Sequence, residues 1–151
     1  MNFIIDKNVL KAALTGNNPN TGEFDPTSLT LLIQIPTICH FFIVTKEIEN
    51  EFIRIFEEFR RKPEGKPTLD AVTMYFNAKK MGKINDTRSS DTLPQSVDEN
   101  GIKDEDLPFA RLSRLTHATL ITYDQPLRAI MGENARPPNE VLELILNQER
   151  N

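Results

Sequence analysis

The sequence predicts an α/β fold with a mainly parallel central sheet, covered by helices on both faces in a three-layer α/β/α arrangement. Short apolar runs at Asn2–Ile5, Phe41–Val44 and Thr119–Thr122 have the length and composition of buried strands. Segments with the apolar spacing of helices lie between these runs, and such alternation is typical of parallel sheets. Residues 1–151 are expected to form a single domain, since domains typically have about 100–200 residues.

The helices are predicted from apolar spacing and from capping residues. The best marked one begins after Thr45, a predicted N-cap, and carries one apolar stripe made of Ile48, Phe52, Ile55, Phe56 and Phe59. Further helices are predicted at Asn8–Leu14, Thr27–Ile33, Thr68–Lys80, Leu107–Thr116 and Glu140–Asn147. Pro36 is expected to end the Thr27 helix. Residues 15–26 and about 85–104 are predicted to be polar loops, the second of them mobile, and 136–138 a turn.

Composition and charge leave several function classes open. The net charge of −4, from 18 Lys and Arg against 22 Asp and Glu, neither supports nor excludes a nucleic-acid substrate. Cys39 is the single cysteine, so no disulfide is expected, and its apolar surroundings predict a buried thiol. Asp6 and Lys7 interrupt the N-terminal apolar stretch, and no apolar run approaches the roughly 20 residues of a membrane span. A cytoplasmic protein without membrane association is therefore expected.

Acidic residues follow two of the predicted strands. Asp6 and Asp124 come directly after apolar runs, so parallel strands would place both at one edge of the sheet, where ligands bind in α/β folds. Each carboxylate could cap the next helix or ligate a hard cation. Asp106, ahead of the Leu107 helix, could ligate such a cation or simply belong to an acidic first turn that the helix dipole stabilises. Glu49 and Glu51 lie about equally far on either side of the apolar stripe, and helix geometry alone does not choose between them.

Four blocks of sequence, in one order, carry a resemblance to a known family. They are Phe3–Leu10 (FIIDKNVL), Val44–Phe52 (VTKEIENEF), Asp104–Ser113 (DEDLPFARLS) and Leu120–Asp124 (LITYD). The first resembles the opening strand and Asp-x-Asn-Val turn of PIN-domain nucleases, and the last resembles their final Thr-x-Asp motif. In the second block a Ser or Thr opens the helix and a metal-binding Glu follows six residues later. The third block supplies a ligand Asp in that family.

The resemblance implies a PIN-like metal-dependent endoribonuclease that cleaves single-stranded RNA and leaves 5′-phosphate and 3′-hydroxyl ends. Its catalytic residues, which are direct or water-mediated ligands of Mg²⁺ or Mn²⁺, would be Asp6, Glu51, Asp106 and Asp124. Asn8 and Thr122 would fix the orientation of these carboxylates. Oxygen ligands suit both cations. Many small members of the family are toxins, so an antitoxin protein and a homodimer belong to the partners that the resemblance implies.

Substrate contacts are predicted at Lys7 and Arg54. The family usually has a small hydroxyl residue where this chain has Lys7, which could pair with Asp6 or contact a substrate phosphate. Other cations that could contact phosphate, or simply cover a solvated helix face, are Arg60, Arg61 and Lys62, or Lys79, Lys80 and Lys83. The alternative function is a catalytically inactive PIN-like module that binds RNA or protein. A haloacid-dehalogenase-like phosphatase is discounted, because Asn8 and Leu10 stand where that chemistry needs Asp and Thr.

Overall fold

A parallel sheet forms the centre of the structure, a computed structural model that describes residues 1–62, 66–86, 93–95 and 98–151. Its strands in the described ranges are β1 (Asn2–Ile5), β2 (Phe41–Val44), β3 (Ile84–Asp86), β4 (Thr119–Ile121) and β5 (Ala135–Arg136). They lie in the order β3-β2-β1-β4-β5, and all four neighbouring pairs are parallel. The architecture is a Rossmann-like α/β fold, and the predicted fold class is confirmed.

Helices connect the strands and cover the sheet. They are α1 (Lys7–Thr15), α2 (Thr27–Thr37), α3 (Lys46–Arg61), α4 (Lys66–Lys80), α5 (Leu107–Thr116), α6 (Gln125–Met131) and α7 (Pro138–Arg150). Helix α1 packs against α2, α3 and α4, and α7 packs against α2, so these five share one face. Crossovers between parallel strands are right-handed, so α5 and α6, which connect strands in the opposite direction across the sheet, lie on the other face.

Strands β1 and β4, which are neighbours in the inner part of the sheet, are buried on both faces. Phe3 and Ile4 in β1 and Leu120 and Ile121 in β4 have no exposed surface, which explains why these strands are continuous apolar runs. The apolar stripe of α3 is buried from Ile48 to Phe56. The Thr45 hydroxyl accepts a hydrogen bond from the Ile48 N–H at 3.2 Å. The predicted N-cap is thus confirmed, and it places the start of α3 at the carboxyl edge of the sheet.

Short elements at the edges of the sheet differ from the sequence prediction. Asn85 and Asp86, predicted to lie in a loop, belong to β3, and Arg136, predicted in a turn, belongs to β5. Helix α6 was not predicted either. Strand β3 has only three residues and β5 only two. An edge strand can be short and need not carry an apolar run, so neither shows the pattern of a buried strand.

Two predictions in the α2–β2 region are wrong. Helix α2 continues through Pro36 to Thr37, because a proline in the last turn removes one hydrogen-bond donor and no further turn depends on it. Cys39 is exposed, since it lies in the connection between α2 and β2 rather than in either element. The neighbouring His40 is buried instead, in an edge-to-face contact with Phe3.

The described part of the polar segment is anchored to the rest of the fold. Leu93 is buried in the hydrophobic core. The Glu99 carboxylate accepts hydrogen bonds from Arg111 at 2.7 and 3.0 Å, and the carbonyl of Asp98 accepts one from Arg114 at 2.8 Å. These contacts fasten the segment to α5 just before Asp106. The prediction of a mobile loop over residues 87–92 and 96–97 lies outside the described residues.

No helix in the described ranges combines the length and the apolar composition needed to cross a lipid bilayer.

Candidate active site

Three aspartates line one cleft at the carboxyl edge of the sheet. Asp6 follows β1, Asp124 follows β4 by way of Thr122 and Tyr123, and Asp106 ends a 3-10 turn before α5. The cleft has a volume of about 210 Å³ and is also lined by Lys7, Asn8, Lys11 and Glu105. Strands β1 and β4 are neighbours from which the chain continues in opposite directions across the sheet. This is the topological switch point at which open α/β sheets bind their ligands.

The two strand-end aspartates cap helices as well as line the cleft. Asp6 Oδ1 accepts a hydrogen bond from the Lys7 N–H at 2.7 Å, and Asp124 Oδ1 accepts one from the Leu127 N–H at 2.9 Å. Of the two uses left open by the sequence, helix capping is therefore observed for both residues, and cation binding stays a prediction. Each capping bond fixes one carboxylate oxygen at a helix N-terminus and leaves the other oxygen for different partners.

A buried hydroxyl connects the Asp6 carboxylate with the backbone of Asp124. The Thr122 hydroxyl donates to Asp6 Oδ2 at 2.6 Å and accepts from the Asp124 N–H at 3.0 Å. It also accepts from Asn8 Nδ2 at 3.2 Å, while Asn8 Oδ1 accepts from the Tyr123 N–H at 3.2 Å. These bonds tie the end of β4 to the start of α1. Asn8 and Thr122 thus have contacts that suit the orienting role predicted for them, and that role stays a prediction.

Burial and the charge of neighbouring carboxylates raise the pKa of two of the aspartates, Asp6 and Asp106. Burial, followed by the negative charge of Asp106, raises the pKa of Asp6 to about 6, against the lowering effect of its hydrogen bonds to Thr122 and Lys7. Burial also raises the pKa of Asp106, with further increases from the charges of Asp124 and Glu105. Because the three carboxylates affect one another electrostatically, added positive charge in this cleft is favourable.

Glu51 lies beside this cleft rather than in it. It lines a neighbouring cleft of about 260 Å³, and Lys7 and Glu105 line both. Its carboxylate accepts hydrogen bonds from Arg54 Nε at 3.1 Å and Nη2 at 2.5 Å. The hydrogen bond from the Arg54 guanidinium is the main cause that lowers the pKa of Glu51. The structure therefore brings three of the four predicted acids into one cleft and places the fourth, Glu51, in the neighbouring cleft.

Glu49, the other acid that the sequence left open, faces away from the aspartates. Its carboxylate accepts hydrogen bonds from the Tyr75 hydroxyl at 3.0 Å and from Lys79 Nζ at 2.5 Å, both on α4. The packing of α4 against α3 thus distinguishes the two glutamates, which the helical spacing did not. Of the two, Glu51 is the one that borders the candidate site.

The two predicted substrate contacts have different surroundings. Lys7 lines both clefts, and its Nζ lies 3.9 Å from Glu105 Oε2. Its positive charge lowers the pKa of both Asp6 and Asp106. Arg54 is exposed and paired with Glu51. Lys11 also lines the aspartate cleft, and sequence reasoning missed it, although its spacing of four residues from Lys7 on α1 is a usable signal.

The other basic runs do not line the aspartate cleft. Arg60 and Arg61 end α3, which starts at the carboxyl edge of the sheet and is 16 residues long, so they lie roughly 20 Å away along its axis. Lys79 and Lys80 end α4, and Lys79 Nζ donates to the Glu49 carboxylate on α3 instead of lining the cleft. Neither run borders the clefts described above.

The carboxylates of the aspartate cleft suit a hard cation, but they are not gathered closely around one point. Carboxylate oxygens are preferred ligands of Mg²⁺ and Mn²⁺. Within the described ranges, no group of three or more His, Cys, Asp or Glu side chains is gathered closely enough to hold a metal ion. Mg²⁺ is usually bound by one or two carboxylates, with waters and substrate phosphates as its other ligands. The shared cleft of Asp6, Asp106 and Asp124 fits that mode of binding.

Fold and site together define a Rossmann-like α/β protein with an acidic cleft at the switch point of its sheet. No protein-family model matches the chain, and no curated protein matches its sequence.

Proposed function

We propose that this chain is a metal-dependent endoribonuclease of the PIN type, which hydrolyses single-stranded RNA at the aspartate cleft. The observation that supports the proposal best is that Asp6, Asp106 and Asp124, from three separate segments, line one cleft. The raised pKa values of Asp6 and Asp106, to each of which the charge of a neighbouring aspartate contributes, indicate a cluster of negative charge that a divalent cation would relieve. The ordered sequence blocks that resemble PIN-domain nucleases contain these same three residues.

Each residue of the cleft has a defined part in the proposed reaction. Asp6, Asp106 and Asp124 would hold Mg²⁺ or Mn²⁺, with Asn8 and Thr122 keeping the carboxylates oriented. A bound divalent cation supplies a more acidic water and neutralises charge on the leaving oxygen. Water oxygen forms the new bond to phosphorus, the bond from phosphorus to the 3′-oxygen breaks, and a 3′-hydroxyl and a 5′-phosphate result. Lys7 and Lys11 would contact the negative phosphate, which adjoins the carboxylates they already flank.

A second candidate function is a catalytically inactive PIN-like module that binds RNA or protein. It is favoured by the absence, among the described side chains, of a ready-made group of three metal ligands. An antitoxin partner and a homodimer stay predictions from the family resemblance, as does the toxin role itself.

A cleavage assay tests the proposed function directly. We expect the purified protein to cut labelled single-stranded RNA with Mn²⁺ or Mg²⁺, to produce 5′-phosphate ends, and to be inactive in excess EDTA. Double-stranded RNA of the same sequence serves as the matched substrate control. If a varied set of single-stranded RNAs stays intact with either metal, the nuclease proposal fails and the binding module takes its place.

The two glutamates of α3 provide a further test. We expect Glu51→Gln to lower the cleavage rate by about 10–100-fold, the range found when groups that support a metal site are altered. Glu49→Gln should leave the rate within about twofold, because Glu49 contacts Tyr75 and Lys79 instead of the cleft. Initial rates at saturating Mn²⁺ measure both. Equal rates for the two variants, or a larger loss for Glu49→Gln, would show that Glu51 does not belong to the site.

A further inference from the structure

Two further clefts, which together we call the groove, adjoin the aspartate cleft through shared lining residues. A cleft of about 520 Å³ shares Asn8 and Asp124 with the aspartate cleft and is also lined by Asn20 and Tyr123. A third cleft of about 480 Å³ shares Asn20 and Tyr123 with the second and contains Arg128. We call this third cleft the Arg128 recess. Shared lining residues thus connect the recess, step by step, with Asp124.

The Arg128 recess contains a donor without a partner. Arg128 Nε is buried and has no hydrogen-bond partner among the described residues. A buried donor without a partner is unfavourable, and Arg128, which carries it, is among the residues that line the recess. Arg128 follows Asp124 by one turn of α6, and its backbone N–H donates to the Asp124 carbonyl at 3.0 Å. The orphan donor therefore lies one helical turn from a proposed catalytic carboxylate.

The walls of the groove are held in place by hydrogen bonds. The Asn20 N–H donates to Asn18 Oδ1 at 2.8 Å, and Asn20 Nδ2 donates to the Tyr123 carbonyl at 3.5 Å. The Tyr123 hydroxyl shares a hydrogen bond of 2.9 Å with the buried Ser28 hydroxyl. Asn17 and Phe24 form an antiparallel bridge across the base of the α1–α2 loop. This loop is thus a fixed wall that presents amide groups to the groove.

The charges in the recess distinguish between two kinds of ligand. Besides Arg128, the carboxylates of Asp25 and Glu140 line it, together with the amides of Asn18 and Asn139. Hydrogen bonds, chiefly from Thr27, lower the pKa of Asp25, so this carboxylate is ionised at neutral pH. Because Glu140 is also paired with the Arg136 guanidinium at 3.6 Å, these four side chains carry no net charge that would attract a phosphate group. The same mixture of guanidinium, amide and carboxylate groups matches the donors and acceptors on the edge of a nucleobase.

We propose that the Arg128 recess binds the base of a nucleotide that flanks the scissile phosphate, so that the chain selects RNA by base identity. This inference rests on the proposed nuclease function for the position of the phosphate. Proteins that read single-stranded RNA hold splayed bases against guanidinium planes and bond their edges. The recess volume of about 480 Å³ lies within the usual range for small-ligand sites. Arg128 and Asn20 determine specificity, and the aspartates determine cleavage.

Binding of homopolymers tests the inference without any cleavage. Fluorescence anisotropy in EDTA would compare decamers of A, C, G and U, together with an abasic ribose-phosphate decamer. We expect one homopolymer to bind wild type at least about tenfold more tightly than the other three homopolymers, the discrimination that one good base-edge contact provides, and the abasic chain to bind no more tightly than those three. Arg128→Gln and the exposed-loop variant Asn20→Ala should each remove most of this preference. Arg150→Gln, at the exposed end of α7, is the matched control and should retain it.

The outcomes separate this inference from the proposed function. If all decamers bind equally, or if Arg128→Gln weakens every decamer by the same factor, the recess does not read bases. If Arg128→Gln fails to fold, Asn20→Ala decides, and an unchanged base preference overturns the inference. Base preference in a protein that never cleaves RNA would overturn only the nuclease proposal. Cleavage without base preference would overturn only the base recess.

Discussion

Replacement of Asp6 by asparagine is expected to abolish RNA cleavage and, at neutral pH, to make the metal-free fold more stable. Burial and the charge of Asp106 raise the Asp6 pKa from 3.8 to about 6 in the folded protein. Between these values the unfolded chain has lost its proton while the folded chain retains it, so wild-type stability falls as pH rises from about 4 to 6. Above pH 6 the accumulated loss is about 3 kcal/mol.

The asparagine variant carries no charge at this position and therefore avoids that loss. It retains an acceptor for only one of the two donors that now bond Asp6, the Lys7 N–H and the Thr122 hydroxyl. A lost hydrogen bond costs about 1 kcal/mol. At pH 7 we therefore expect Asp6→Asn to be about 2 kcal/mol more stable than wild type, and at pH 4 about 1 kcal/mol less stable. A gain in stability at the expense of activity is typical of a functional site.

Urea denaturation in EDTA at pH 4, 5, 6 and 7 measures the stability difference between Asp6→Asn and wild type, which should change sign over this range. The cleavage assay with Mn²⁺ measures the loss of activity. The difference between variant and wild type isolates Asp6 from the other titrating groups. Asp104→Asn, an exposed carboxylate, serves as the control and should shift stability by less than about 0.5 kcal/mol at each pH. An Asp6→Asn variant that is less stable than wild type at pH 7, or that still cleaves RNA, would contradict the role assigned to Asp6.

The central half of the sheet could be predicted from the sequence because burial leaves a clear pattern there. Strands β1 and β4 are covered on both faces, so they are apolar runs, and each is followed within three residues by an aspartate at the sheet edge. Edge strands β3 and β5 carry the sequences IND and AR, which have no such pattern. The polarity of Asn85, which is typical of a loop, is here the polarity of an exposed residue in an edge strand.

The candidate site was predictable to the extent that its residues come at strand ends or helix starts. Tertiary packing decided the rest. Glu49 and Glu51 differ only because α4 packs on the side of Glu49, and no local spacing reports that contact. Likewise, Arg128 and the α1–α2 loop lie far apart in sequence, so their common recess arises only when α6 follows β4 beside that loop.

Replacement of Asp106 by asparagine should remove both metal binding and RNA cleavage, whereas the same change at Asp104 should affect neither strongly. The two residues lie at opposite ends of one 3-10 turn, yet Asp106 is buried and lines the aspartate cleft, while Asp104 is exposed. Loss of a supporting contact to a metal site costs about 10–100-fold in affinity. Loss of a direct carboxylate ligand should reach at least the upper end of that range.

Calorimetric titration of the folded proteins with Mn²⁺ at pH 7 is the measurement that separates a metal centre from an acidic surface. Wild type and Asp104→Asn should take up Mn²⁺ with affinities that agree within about twofold, and Asp106→Asn should bind it at least about 100-fold more weakly. If wild type takes up no Mn²⁺, or if all three proteins bind it equally, the aspartate cleft is not a metal site and the chain is not a nuclease of this type.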